Sequence, residues 1–131
     1  MSKILIVDDE KDTASLMRFI LESFGHKVST AADGDEALAV LGVDPADPAV
    51  ELPDLVLMDV MMPYKDGYTV SVKLSECERT RTLPILVVTA HPDMVHLFHD
   101  IPSVLGYFHK PFEPKDLSEK VEAALAKPRQ S

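Results

Sequence analysis

A chain of 131 residues with 46% hydrophobic and 27% charged side chains has material for one domain with a single packed core. Its formal charge of −9 disfavours direct binding to nucleic acid or to an anionic membrane, and favours cations or basic partners. Cys77 is the only cysteine, which excludes an internal disulfide, and no apolar run is long enough for a signal-peptide core or a membrane span.

Ile4-Leu5-Ile6-Val7 reads as a strand buried on both faces, because four apolar residues follow one another without a polar break. It ends in Asp8-Asp9-Glu10. A helix is expected over 12–24, with Met17, Ile20, Leu21 and Phe24 on one face and Gly25 placed to end it. Residues 27–31 make a short strand. Asp33-Gly34-Asp35 turns the chain, and Ala37, Leu38 and Leu41 mark a second helix. The stretch 42–49, with two prolines and two aspartates, is an exposed loop.

Leu55-Val56-Leu57-Met58 is a further buried strand, and it delivers Asp59 to its carboxyl end. After a turn over 63–67, Val70, Leu74 and Cys77 give a third helix its buried face. Ile85-Leu86-Val87-Val88 is the fourth strand, ending in Thr89. His91-Pro92-Asp93 opens a fourth helix, with Met94, Phe98 and Ile101 on one face. Pro102 shortens or bends that helix. Tyr107-Phe108-His109 is the last strand and runs into Lys110-Pro111-Phe112. Pro114 opens a final helix whose Leu117, Val121, Ala124 and Leu125 face inward, and Pro128 closes it.

Strand and helix alternate five times. The expected fold is α/β: a flavodoxin-like, doubly wound, five-stranded parallel sheet of order 2-1-3-4-5 with five helices. The expected domain covers residues 1–127, with a short polar tail at 128–131. The switch point of that order lies between strands 1 and 3, where ligands of open α/β sheets bind. It brings Asp8, Asp9 and Asp59 into one crevice.

Three carboxylates a few ångströms apart repel, each pair by on the order of 4 kcal/mol at 4 Å with an effective dielectric near 20. Either one carboxyl stays protonated or a cation is bound. Clustered oxygen donors suit a hard divalent ion, Mg²⁺ in a cell. Lys110 adds an ammonium at the same edge and Thr89 a hydroxyl. A carboxylate nucleophile, a metal, an ammonium and a hydroxyl donor are the parts that phosphoryl transfer needs.

Asp8-Asp9, then Asp59 followed by Met62-Pro63 and Asp66-Gly67, then Thr89-Ala90 and Lys110-Pro111-Phe112 resemble the receiver domain of two-component response regulators. The resemblance covers residues 3–126. It implies that Asp59 is the phosphoacceptor and that Asp9 and Asp59 bind Mg²⁺ with the backbone carbonyl of Met61. Asp8 assists directly or through water. It also implies that Lys110 pairs with the phosphoryl group, that Thr89 hydrogen-bonds it, and that Tyr107 is an aromatic switch turning inward with Thr89. The implied partners are a sensor histidine kinase or phosphotransfer protein upstream. Downstream stands a target protein or a missing output domain, with weak homodimerisation also admitted. The implied role is a cytoplasmic signalling switch rather than a metabolic enzyme, although self-phosphorylation and autodephosphorylation are part of it.

Two positions bear on that role. The loop between helix 2 and strand 3 is longer than the family's usual one. Met61 and His91, two residues past Asp59 and Thr89, border by resemblance the path of water to the phosphoryl group, and bulky Met61 is expected to slow hydrolysis. His91, His96, His99 and His109 do not have the spacing of a zinc site. A haloacid-dehalogenase-type phosphatase would need an aspartate where Met61 stands. A flavin module would need a Ser/Thr/Gly phosphate loop where Asp8-Asp9-Glu10 stands.

Overall fold

The apolar runs do become strands, and they pair in the order β2-β1-β3-β4-β5. The computed structural model describes residues 2–62 and 66–126. The middle of the turn expected after Asp59, at 63–65, and residues 127–131, with the tail expected at 128–131 and the helix end expected at Pro128, lie outside the described residues. In chain order the elements are β1 (Lys3–Val7), α1 (Lys11–Ser23), β2 (Lys27–Ala31), α2 (Gly34–Val40), β3 (Leu55–Met58) and α3 (Gly67–Glu76). Then come β4 (Ile85–Thr89), a 3₁₀ helix (Pro92–Phe98), β5 (Val104–His109) and α4 (Pro114–Ala126). Every strand pairing is parallel.

Alternation along each strand divides the core into two layers. Leu5, Val7, Val56, Met58, Ile85 and Val87 face α2, α3 and the 3₁₀ helix, against Leu38, Val70, Leu74, Phe98 and Ile101. Ile4, Ile6, Leu55, Leu57, Leu86 and Val88 face α1 and α4, against Met17, Ile20, Leu21, Leu117, Val121 and Ala124. A strand covered on both faces needs apolar residues at successive positions, which is why these runs show no polar break.

Helix ends follow local chemistry. Gly25 adopts φ 94°, a left-handed conformation open to glycine, and closes α1. Asp33 caps α2 by accepting the Glu36 amide at 2.8 Å, and Asp66 caps α3 by accepting the Thr69 amide at 2.7 Å. Three expectations are corrected. Phe24 is not on the buried face of α1: it has left the helix and is 55% exposed. Cys77 is the half-buried C-cap of α3 rather than part of its buried face. The last strand begins at Val104, three residues before Tyr107, and Leu105 is an extra residue between the Ile85–Val104 and Leu86–Gly106 pairs.

The fourth helical segment is 3₁₀. Its main-chain bonds span three residues, from the His99 amide to the His96 carbonyl at 3.3 Å and from the Ile101 amide to the Phe98 carbonyl at 2.9 Å. Ring nitrogens of His96 and His99 bond the carbonyls of Asp93 and His96, so side chains compete for the acceptors an α-helix would use. Met94, Phe98 and Ile101 still pack onto the core. Loop 42–50 is ordered by Arg79, whose guanidinium donates to the carbonyls of Leu41 and Val50. Among the described residues no helix is long and apolar enough to cross a membrane.

Candidate functional site

The sheet ladder continues one residue past three strands, and those residues carry the polar groups. The Asp8 amide donates to the Ala31 carbonyl at 3.1 Å, the Asp59 amide to Val7 at 2.9 Å, and the Lys110 amide to Thr89 at 2.8 Å. Val7 is in register with Met58, so Asp8 and Asp59 leave the sheet side by side. Each acid is therefore fixed by main-chain bonding at the carboxyl end of a strand, at the point where strand order reverses.

Asp8 and Asp59 are buried, at 3% and 6% exposure, while Asp9 is exposed. One carboxylate oxygen from each of the three lies within 4.8 Å of the others. The Lys110 ammonium reaches into the same space, 2.7 Å from Asp8 Oδ2 and 3.6 Å from Asp59 Oδ2. Thr89 is wholly buried, and its hydroxyl oxygen accepts the His91 amide at 2.9 Å. Tyr107 stands apart, 46% exposed at the outer strand, and the Met61 side chain is half in solvent. Among the described residues no histidine belongs to a group able to hold a metal ion.

Burial raises the Asp59 carboxyl to about 6; Lys110 opposes the rise, Asp8 and Asp9 add to it, and the neighbouring Val60 amide opposes it. For Lys110, burial favours the neutral amine. The hydrogen bond to Asp8 and the charges of Asp59, Asp8 and Glu10 outweigh it and hold the ammonium above its ordinary value. The donor set fits a hard divalent ion: all three groups are carboxylates, two are buried, and among the described residues the Lys110 ammonium alone leaves excess negative charge.

Glu10 has no expected role beyond completing the acid run after the first strand. The structure adds it as a partner of Lys110, at 3.6 Å, and its amide donates to Asp8 Oδ1 at 2.9 Å. The unbroken acid run at 8–10 is the signal that could have marked it. Gly67, expected in a turn and in a motif, is the first residue of α3, and its Cα packs on the Asp59 carbonyl.

A parallel five-stranded sheet with an acid trio and a lysine at its switch point is a doubly wound α/β module built to handle charge at one edge. The chain belongs to the response regulator receiver domain family, which its residues 4–122 match, and it is a receiver of the two-component signalling type. It is 36% identical over 130 residues to the alkaline phosphatase synthesis transcriptional regulatory protein PhoP of Bacillus subtilis, covering 94% of this chain and 48% of that one. A putative response regulator from Chloroflexus aurantiacus superposes with a TM-score of 0.80 at 35% identity, over 96% of this chain and 98% of that one. The response regulator TrrA of Thermotoga maritima, solved with Mg²⁺ and BeF, gives 0.78 at 27% identity, over 95% and 99%. The chain spans about half the length of the first curated relatives it matches.

Proposed function

We propose that Asp59 is the phosphoacceptor of this receiver and that residues 1–127 act as one switching domain ahead of a short polar tail. A carboxylate oxygen of Asp59 attacks the phosphorus of a phosphohistidine on a sensor kinase or phosphotransfer protein. The phosphorus–nitrogen bond breaks and its electron pair returns to the imidazole. Later a water attacks the phosphorus, the acyl phosphate bond breaks, and the Asp59 carboxylate is restored with loss of inorganic phosphate.

Asp8, Asp9 and Asp59 would hold Mg²⁺ together with the Met61 carbonyl. When bound, the ion neutralises charge and orients phosphoryl oxygens. Lys110 supplies the matching positive charge from the protein side, and it must loosen from Asp8 to do so. Thr89 donates its hydroxyl to the same oxygens. Tyr107, now outward, turns inward as Thr89 shifts, and the face around β5 and α4 carries the change to a separate protein or an attached output domain. The Met61 side chain slows attack by water.

The observation that carries this reading is the Lys110 ammonium, 2.7 Å from Asp8 and 3.6 Å from Asp59 inside the carboxylate trio. Two buried acids with a lysine between them, one of them raised to about 6 by burial, are more costly than a structural ion pair requires. Incubation with acetyl phosphate and Mg²⁺, read by intact mass, tests it. Wild type gains one phosphoryl group and Asp59→Asn gains none; equal gain in both, or none in either, rejects the reading.

A further inference from the structure

We infer that Gly67 is a positioning residue for Asp59: its bare Cα lets the first turn of α3 bear on the Asp59–Val60 peptide and thereby sets the direction of the Asp59 carboxylate. The inference rests on Asp59 being the phosphoacceptor. A methyl group built on Gly67 would overlap the Asp59 carbonyl oxygen and come within 3.0 Å of the Asp59 carbonyl carbon and of Met58 Cγ. The first two are main-chain atoms that no rotamer can move aside. Gly67 does not adopt the left-handed region, so glycine is required here by contact and not by backbone freedom.

The same turn grips the next peptide. The Gly67 amide donates to the Val60 carbonyl at 2.8 Å, and Asp66 caps the helix through the Thr69 amide. The Val60 amide belongs to the same peptide unit as the Asp59 carbonyl and helps to favour the charged Asp59 carboxylate. A peptide unit is planar, so tilting the Asp59 carbonyl away from a new side chain also tilts the Val60 N–H. That turns the Val60 N–H relative to the Asp59 carboxylate. It also displaces the chain leading to Met61, whose carbonyl the proposed ion uses. A side chain at 67 would therefore disturb nucleophile and metal site together through the main chain, without meeting the Asp59 carboxylate or the Met61 carbonyl.

The test compares wild type with Gly67→Ala, Asp66→Ala and Thr80→Val. Thr80 Oγ1 donates to the Leu74 carbonyl at 2.7 Å, at the far end of α3, so its loss weakens the same helix away from Asp59. Three quantities are read: thermal midpoint, the Val60 amide signal by ¹H–¹⁵N NMR, and the rate of phosphorylation by acetyl phosphate. Gly67→Ala is expected to fold, to move the Val60 amide, and to lose on the order of 10- to 100-fold in rate, as misplacement of a reacting group does. Thr80→Val loses stability and keeps both other readings.

A folded Gly67→Ala with an unmoved Val60 amide and an unchanged rate overturns the inference. So does a Thr80→Val that loses as much rate at equal stability. If Gly67→Ala does not fold, Asp66→Ala carries the test, because it frays the turn without adding an atom against the carbonyl. A frayed first turn that moves the Val60 amide and slows the reaction supports the inference, and one that leaves both unchanged overturns it. A wild type that takes no phosphoryl group rejects the functional reading alone, and the Val60 amide then still decides whether Gly67 aims Asp59.

Discussion

Asp59 sits where its negative charge is costly. Burial first, against Lys110, lifts its carboxyl from an ordinary 3.8 to about 6. The folded protein therefore binds a proton that the unfolded chain has released between those values. Below about pH 4 both states are protonated and the penalty is absent. As pH rises through about 6 the folded state gives up stability, and above that the full cost is in place, on the order of 3 kcal/mol. Asp59→Asn is expected to raise stability at pH 7.5 by about 1–3 kcal/mol, and the gain should vanish near pH 4. Urea melts at the two pH values check this, and an equal gain at both would assign the effect to packing. Asp8, Asp9, Asp59, Thr89 and Lys110 were legible because each stands at or just beyond the end of an apolar run. Glu10 and Gly67 were not, because one needs the path of Lys110 and the other the approach of α3, and neither is local in sequence.

At the scale of elements, caps and periodicity set most boundaries. Asp33 accepts the Glu36 amide at the start of a seven-residue helix, which has few other bonds to hold it. Asp33→Ala is expected to cost about 1 kcal/mol of stability while leaving phosphorylation unchanged, since Asp33 follows β2, which β1 separates from the β3 strand that carries Asp59. Chemical denaturation with the acetyl phosphate assay in parallel separates the two effects. The 3₁₀ helix was the least legible element. Its apolar spacing is that of an α-helix, and Phe98 and Ile101 are buried as that spacing implies. What spacing does not reveal is that His96 and His99 occupy main-chain carbonyls. Phe24 failed for a related reason: periodicity continued on paper one residue beyond Ser23, where the helix ends and the chain turns into Gly25.

At the scale of the molecule, strand order follows from five buried runs and right-handed crossovers, which is why topology could be read before any contact was known. The same order places negative charge on one edge of a chain whose net charge is already −9. A divalent ion at that edge relieves repulsion in the folded state alone. Mg²⁺ at ten times its dissociation constant is expected to stabilise the protein by about 1.4 kcal/mol. The gain should shrink below pH 6, where Asp59 holds its proton, and disappear with a chelator. Thermal melts with and without Mg²⁺ at pH 7.5 and 5 measure it, and a gain independent of pH would place the ion elsewhere.

The most direct measurement is chemical location of the phosphoryl group. After reaction with acetyl phosphate and Mg²⁺, borohydride reduces an acyl phosphate of aspartate to homoserine, which peptide mass spectrometry assigns to a position. The account predicts homoserine at position 59 and at no other aspartate. Homoserine at another acid, or an unreduced peptide containing Asp59 from protein that had gained a phosphoryl group, would contradict it.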